Sequence, residues 1–319
     1  MVKFLMLFLG NICLFLQANA AAKSINSLAT DLANAASLSF KQVNTGIKNE
    51  SLDTLSKYMP IFTVDYKTSP LRKKPQPKNS RTAKTILGGD KATTGAVPYQ
   101  ALIICKGRWL CGGSLISNQW VLTAAHCVIN CTTFIISIGG IQRSVNETGE
   151  YIAETNVSIA HPQYNSITLQ NDIACIKLLR PVTLSQTIQV IKIPSVNLAN
   201  QSFVNQNVTA SGYGLTSTRG NASDFLMRVG LVVGNNTVAA GVFGVEKVTS
   251  KIICTVADPV KATCNGDSGG PLTALIGNVL YQIGIVSFGA SISCNNYPSC
   301  FTRVTSFLGW LSDTTSLKF

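Results

Sequence analysis

The stretch Thr263–Pro271, which reads TCNGDSGGP, carries the strongest chemical signal in this sequence of 319 residues. The glycines around Ser268 let the backbone approach a ligand closely and adopt dihedral angles that other residues avoid. A serine on such a turn can present its hydroxyl group while neighbouring N–H groups point at developing negative charge. Serine alone is a weak nucleophile. A catalytic role for Ser268 therefore requires a histidine and an acid elsewhere in the chain.

The chain contains two histidines, His126 and His161. His126 follows the apolar run Trp120–Leu122 in the segment TAAHC, and Asp172 lies among apolar residues in the segment NDIA. The order along the chain is His126, Asp172, Ser268. No acid and serine remain to serve His161, and the two histidines lack the Cys or Glu spacing of a zinc site, so we interpret His161 as structural.

These three segments resemble the signature blocks of the chymotrypsin-like serine peptidases and occur in the same order. The resemblance extends from Ile86 to about the C-terminus. It implies a serine-type endopeptidase, a hydrolase, with Ser268 as nucleophile, His126 as general base and then acid, and Asp172 as the group that orients the imidazole. The N–H groups of Gly266 and Ser268 would form the oxyanion hole. It implies no cofactor and no metal.

Short apolar runs separated by Gly, Asn, Pro and Ser predict an all-β barrel or sandwich. The resemblance narrows this to two antiparallel six-stranded β-barrels with the active site between them and a C-terminal helix. We place the barrels at residues 86–200 and 201–319 of a peptidase domain. The spacing of Phe307, Leu308 and Leu311 predicts an amphipathic C-terminal helix that packs on the second barrel.

The N-terminus has the layout of a secretory signal peptide, which we place at residues 1–20. Lys3 precedes the apolar run Phe4–Leu16, and Ala18-Asn19-Ala20 provides a small-residue cleavage site. This run is too short for a membrane span. We therefore expect a secreted, extracellular glycoprotein that binds no membrane, with disulfide bonds. Its N-x-S/T acceptor sites are Asn49, Asn130, Asn146, Asn156, Asn200, Asn207, Asn221 and Asn235.

Residues 21–85 contain no cysteine and end in a stretch rich in Lys, Arg, Pro and Ser. We interpret them as a propeptide, because a small independent domain would need a larger apolar pattern. At Ile86 the sequence ILGG resembles the mature N-terminus of the family. Cleavage there would free an ammonium group that pairs with Asp267.

The residue before the predicted cleavage site departs from the family. Family zymogens are usually cut after Arg or Lys, whereas Thr85 precedes Ile86. Either the activating protease accepts threonine, or cleavage after Lys84 or Arg81 is followed by trimming.

The basic charge of the chain lies mainly in the predicted propeptide. The formal net charge is +12. Residues 23–84 carry 11 Lys/Arg against 4 Asp/Glu, and residues 86–319 carry 14 against 10. This distribution argues against a nucleic-acid-binding protein. The expected partners are protein and peptide substrates, an activating protease and protein inhibitors, and we expect a monomer.

Of the ten cysteines, Cys13 leaves with the signal peptide. The resemblance implies the pairs Cys111–Cys127 and Cys264–Cys294. Cys105 and Cys131 flank the first pair symmetrically, so we predict that they bridge. Cys254 lacks its usual upstream partner in the family, and we pair it with Cys300. Cys175 is then either a buried small hydrophobe or an exposed thiol that links two chains.

Substrate preference is predicted from the positions that match the specificity pocket of the family. Ala262, at the pocket floor, offers no carboxylate for a Lys or Arg side chain. Ser287, Phe288 and Gly289 match one wall, and Ser299 stands where glycine is usual. We expect cleavage after apolar residues, aromatic or medium aliphatic. Alternatively, Ser299 blocks large rings and favours small residues.

A second hypothesis is a catalytically silent, secreted protease homologue that acts as a binding or regulatory protein. Such homologues usually lack a triad residue, and all three are present in this sequence. A third hypothesis keeps the enzyme but places it in a proteolytic cascade instead of digestion. The sequence favours an active zymogen.

Overall fold

The structure, a computed structural model, describes residues 88–105, 109–217, 220–290 and 292–319. The predicted signal peptide, the propeptide and Ile86 lie outside the described residues. The strands are β1 (Asp90–Lys91), β2 (Gln100–Cys105), β3 (Trp109–Leu115), β4 (Trp120–Thr123), β5 (Phe134–Ile138), β6 (Tyr151–Thr155), β7 (Ser158–Ala160), β8 (Ala174–Lys177), β9 (Asn207–Gly212), β10 (Met227–Val232), β11 (Ile252–Cys254), β12 (Pro271–Ile276), β13 (Val279–Phe288) and β14 (Cys300–Arg303). The α-helices are α1 (Ala125–Val128), α2 (Asn236–Phe243) and α3 (Leu308–Thr315).

Strands β2 to β8 form a first antiparallel sheet in the order β6-β5-β2-β3-β4-β8-β7. Alternating burial along β5 places Phe134, Ile136 and Ile138 in its core. Between β6 and β7 the chain bends and bonds back to β8: Lys177 N–H donates to the Val157 carbonyl at 2.9 Å, and Thr155 Oγ1 donates to the Lys177 carbonyl at 2.7 Å. Strands β6 and β7 thus act as one bent strand that closes a six-stranded barrel.

The second sheet has the order β1-β10-β9-β12-β13-β14-β11 and is also antiparallel. Its outer strands β10 and β11 are joined beyond their ends by a bridge between Val233 and Thr255 and by a hydrogen bond from Gly234 N–H to the Cys254 carbonyl at 2.9 Å. Six strands therefore close this barrel, and β1 is an additional edge strand. The prediction of two antiparallel six-stranded barrels is confirmed.

Several elements were not predicted because their sequences are short or polar. Strand β1 has two residues, both exposed, and is held by its antiparallel pairing with β10. Helix α2 begins after Asn235, whose side chain accepts a hydrogen bond from the Thr237 N–H at 2.9 Å. Asparagine is a favourable N-cap because it satisfies a free N–H group of the first turn.

The C-terminal helix exists, but its predicted packing was wrong. Phe307 and Leu311 are buried in the same cluster as the core of the first barrel, not that of the second. The His161 ring packs against Phe307 at 5.4 Å and against Trp310 at 5.3 Å, measured between ring centroids. His161 therefore has the structural role expected of it: its ring provides part of the surface on which α3 lies.

Buried polar side chains join the two barrels. Gln100 and Ser114 are opposite each other on β2 and β3. Ser211, on β9, donates to Gln100 Oε1 at 2.7 Å, and Ser114 donates to Gln282 Oε1, on β13, at 2.6 Å. These hydrogen bonds satisfy groups whose burial would otherwise be costly, and they specify how the barrels align.

The structure joins the cysteines in the four pairs expected from the sequence: Cys105–Cys131, Cys111–Cys127, Cys254–Cys300 and Cys264–Cys294. Cys175 is a free thiol on β8 and is fully buried. It faces Leu122 and Ile159 on the neighbouring strands. Cys175 is therefore a buried small hydrophobe, and the alternative of an exposed thiol is wrong. In the part of the chain that the structure describes, no helix is long and apolar enough to cross a membrane.

We predict that Cys175 does not react with iodoacetamide at about pH 8 while the protein is folded. The side chain is buried, and this burial raises the pKa of its thiol to about 12. Unfolding in guanidinium without a reductant should expose it, and peptide mass spectrometry should then place the label on Cys175. Labelling of Cys175 in the folded protein would contradict its buried position.

Candidate active site

The His126 side chain is held by a carboxylate. Its Nδ1 lies 2.7 Å from Asp172 Oδ2, and its backbone N–H donates to Asp172 Oδ1 at 2.9 Å. An ionised carboxylate only accepts hydrogen bonds, so Nδ1 is the protonated nitrogen of the neutral ring. The lone pair is then on Nε2. This is the tautomer that a general base requires.

Asp172 is fully buried and receives hydrogen bonds from both barrels. It follows Asn171, which has a left-handed φ of 57°, and precedes β8 of the first barrel. From the second barrel, Ser287 Oγ donates to Asp172 Oδ2 at 2.6 Å, and Thr302 Oγ1 donates to the Asp172 carbonyl at 2.8 Å. The carboxylate is therefore fixed at the interface.

Sequence reasoning missed these two hydroxyl groups. Ser287 was assigned only to the substrate pocket, and Thr302 was given no role. The pairing of β13 with β14 shifts register between Val286 and Phe288, so Ser287 occupies a β-bulge. Bulges redirect a side chain next to active sites. No residue pattern in the sequence marks this bulge, because its flanking residues continue the apolar strand.

Ser268 lies on a turn that glycine makes possible. Gly266 and Gly269 adopt positive φ angles of 95° and 78°. A Cβ atom at Gly269 would overlap Thr123 Oγ1 and the Gly112 carbonyl. The Gly112 N–H donates to the Ser268 carbonyl at 2.7 Å. The turn therefore sits directly on β3 and β4, and β4 leads into the helix that carries His126.

The peptide N–H groups of this turn fall into two sets. Those of Asp267, Gly269 and Gly270 donate to backbone carbonyls at 3.0, 2.8 and 2.9 Å. Within the described part of the chain, no carbonyl accepts from the N–H groups of Gly266 and Ser268. These two are the donors predicted for the oxyanion hole, and this arrangement leaves them available to a ligand.

His126 and Ser268 line one cleft of about 600 Å³, part of it open to solvent. Of the predicted pocket residues, Ser287 and Gly289 line it. Ala262 and Ser299 do not, and both are buried. The Ser299 hydroxyl accepts a hydrogen bond from the Thr263 N–H at 3.3 Å. The complete lining is His126, Leu169, Thr263, Cys264, Asn265, Ser268, Val286, Ser287, Phe288, Gly289, Ala290 and Cys294.

Asp267 is a second fully buried carboxylate beside the turn. Its Oδ1 accepts from the Gly214 N–H at 2.8 Å and its Oδ2 from the Cys264 N–H at 2.9 Å. A side chain at Gly212 or Gly214 would overlap it. Burial raises its pKa to about 6 despite these two hydrogen bonds. Among the described residues, no cationic side chain pairs with it.

A geometric cluster of Cys111, His126 and Cys127 is not a metal site. The ligand atoms of the three residues lie within 4.8 Å of one another. The two cysteines, however, form a disulfide and offer no thiolate. Their bridge instead ties β3 to the short helix that carries His126.

Comparisons with known proteins agree with this geometry. Residues 86–311 match the family described as trypsin. The chain is 38% identical to brachyurin from Leptuca pugilator over 73% of its length and 99% of that protein. It is 37% identical to chymotrypsin-C from Mus musculus over 72% and 88%. A solved structure titled HL collagenase aligns with a TM-score of 0.67 and 33% identity over 73% of this chain and all of that one.

The family match covers the residues that build both barrels, the cleft and the turn at Ser268. The chain therefore belongs to the trypsin family of serine-type endopeptidases.

Proposed function

We propose that this chain is a secreted serine endopeptidase, made as a zymogen, that hydrolyses peptide bonds after apolar residues through an acyl-enzyme. The observation that carries the proposal is the contact of 2.7 Å between His126 Nδ1 and the buried Asp172, in the same cleft as Ser268. This arrangement supplies a base of the correct tautomer beside a serine hydroxyl. The proposed catalytic residues are His126, Asp172 and Ser268.

The mechanism follows from the positions of these groups. Ser268 Oγ attacks the scissile carbonyl carbon and gives its proton to His126 Nε2. Asp172 stabilises the resulting imidazolium, and the N–H groups of Gly266 and Ser268 stabilise the oxyanion. His126 then protonates the leaving amine, which departs and leaves an acyl group on Ser268. Water, deprotonated by His126, attacks this ester and releases the acid.

The surroundings of Asp267 support activation by cleavage before Ile86. Gly88 has a φ of 69° and packs so closely on Val260 that a Cβ atom would overlap its carbonyl oxygen. Val260 lies four residues before Cys264, whose N–H donates to Asp267. Two further residues of extended chain span about 7 Å. The proposed ammonium group of Ile86 would thus have a buried carboxylate within the same region to pair with.

Two observations support secretion. The described chain has four disulfides, which persist in oxidising compartments. All seven described asparagines of N-x-S/T motifs are exposed, as glycan attachment requires. They are Asn130, Asn146, Asn156, Asn200, Asn207, Asn221 and Asn235.

The cleft lining supports cleavage after apolar residues. None of its described lining residues carries a carboxylate, and Leu169, Val286 and Phe288 give it apolar surface. The Ser299 hydroxyl, which was expected to narrow or polarise the pocket, is engaged by the Thr263 N–H. A Cβ atom at Gly289 would have only the Pro298 carbonyl within reach, at 4.0 Å. These features favour large apolar substrate side chains over small ones.

We predict that protein cleaved before Ile86 reacts with a fluorophosphonate at Ser268 and hydrolyses peptides ending in Phe or Leu. N-terminal sequencing verifies the cleavage, and mass spectrometry locates the label. Ser268→Ala should prevent labelling and reduce kcat by about 10⁶-fold, as loss of the nucleophile does in such triads. The uncleaved chain is the control and should react far more slowly.

The alternative of a silent homologue makes the opposite prediction. A correctly cleaved, folded protein that neither takes the label nor hydrolyses any peptide would refute the enzymatic proposal. Cleavage after Arg in preference to Phe would refute only the assignment of an apolar pocket.

We predict that Ser287→Ala lowers kcat about tenfold with little change in KM. The variant removes the hydroxyl group that fixes Asp172 Oδ2, and hydrogen bonds to a charged group contribute about 1.5–3 kcal/mol. Steady-state kinetics on a peptide ending in Phe gives the measurement. Ser293→Ala is the matched control, because the Ser293 hydroxyl donates to Asn295 and not to the triad. An unchanged kcat would show that Asp172 is positioned without Ser287.

We predict that Asp267 destabilises the uncleaved chain as the pH rises. The folded carboxyl has a pKa raised to about 6 from 3.8, so below about pH 4 both states are protonated and burial costs nothing. Between pH 4 and 6 only the unfolded state ionises readily, and the stability attributable to Asp267 falls by about 3 kcal/mol. Urea unfolding of the Ser268→Ala chain, compared with the same chain carrying Asp267→Asn, measures this difference.

Cleavage before Ile86 should reverse the sign of that difference, because the new ammonium group favours the ionised carboxylate. Identical pH dependence in both chains, before and after cleavage, would contradict the role assigned to Asp267.

A further inference from the structure

Behind one wall of the cleft lies a small hydrophobic core that is separate from both barrel cores. We call it the wall core. It contains Ala239, Val248, Ile252, Cys254 and Cys300, with Ala240, Phe243 and Phe288 packed against it. Of these residues, Phe288 also lines the cleft. The wall core is therefore the support against which one surface of the substrate site is formed.

Three residues of this region lie in one row across neighbouring strands. Cys254 on β11 is opposite Cys300 on β14, and Cys300 is opposite Phe288 on β13. Directly opposite residues of antiparallel strands share a face of the sheet. The Cys254–Cys300 disulfide thus lies on the same face as the Phe288 side chain and covalently fixes the strand next to it.

Helix α2 covers the row from outside. The Phe243 ring meets the Phe288 ring edge-on, with centroids 5.5 Å apart and an interplanar angle of 89°. This is a favourable aromatic geometry. Phe243 comes from a different segment than the strands, so the Phe288 ring is supported by α2 as well as by the disulfide row.

The β-bulge separates this wall from the catalytic groups. Ser287 bonds to Asp172, whereas the next residue, Phe288, packs into the wall core. A change in the wall core therefore reaches the surface that contacts the substrate side chain before it reaches the triad. Such a change should alter substrate selection more than the reactivity of Ser268.

We propose that Phe243 and the Cys254–Cys300 disulfide are positioning residues that hold Phe288 as the wall of the cleft, and that they thereby set the preference for large apolar substrate side chains. The proposal rests on the endopeptidase function proposed above. It assigns a role in specificity to residues that do not line the cleft.

The test compares Phe243→Ala and the double variant Cys254→Ala/Cys300→Ala with the parent enzyme, each activated and titrated with the fluorophosphonate. The measured quantity is the ratio of kcat/KM for a peptide ending in Phe to that for one ending in Ala. Displacing a contact by about 1 Å can cost up to 100-fold. We expect both variants to lower the ratio about tenfold, chiefly by raising KM for the Phe peptide. The rate of Ser268 labelling should stay within about twofold of the parent.

Phe243→Leu guards against a variant that does not fold, and should lower the ratio less than Phe243→Ala. Val242→Ala is the matched control on the same helix, at a side chain 47% exposed. Cys105→Ala/Cys131→Ala is the control for loss of a disulfide in the other barrel. Neither control should change the ratio.

An unchanged ratio in the Phe243 variants, or an equal change in the controls, would overturn the proposal while leaving the endopeptidase function intact. A parent enzyme that is not labelled after activation would overturn the proposed function itself. The labelling step therefore distinguishes the two failures.

Discussion

The hydrogen bonds around the buried carboxylate of Asp172 are the constraint on which the rest of the site depends. A buried charge is tolerated only when it is paired and hydrogen-bonded. The first barrel supplies the ring and backbone N–H groups of His126, and the second supplies the Ser287 hydroxyl. Neither barrel alone satisfies the carboxylate. The triad geometry is thus a consequence of how the barrels meet.

The same interface positions the nucleophile. Gly269 lacks a side chain where the turn presses on Thr123, and the Gly112 N–H holds the Ser268 carbonyl at 2.7 Å. The buried hydrogen bonds from Ser211 to Gln100 and from Ser114 to Gln282 fix the alignment of the barrels a few strands away. A small displacement of one barrel would disturb all of these contacts together, so catalytic geometry and barrel packing are coupled.

How far the sequence predicts this molecule depends on how local each signal is. His126 and Ser268 were recognisable because histidine is rare in this chain and because the turn needs glycines at neighbouring positions. The barrels were recognisable from short apolar runs. The role of Ser287 was not, because a register shift between two strands leaves no local pattern. Nor was the packing of α3, which depends on the surface provided by His161.

The two buried aspartates show how burial can serve different ends. Asp172 has a ring N–H, a backbone N–H and a hydroxyl group as donors. Asp267 has only two backbone N–H donors, and no described cationic side chain pairs with it, so burial keeps its pKa raised to about 6. The remaining cost is stored beside the oxyanion turn. A cation arriving there would gain free energy by stabilising the ionised carboxylate, which makes this position suited to control by chain cleavage.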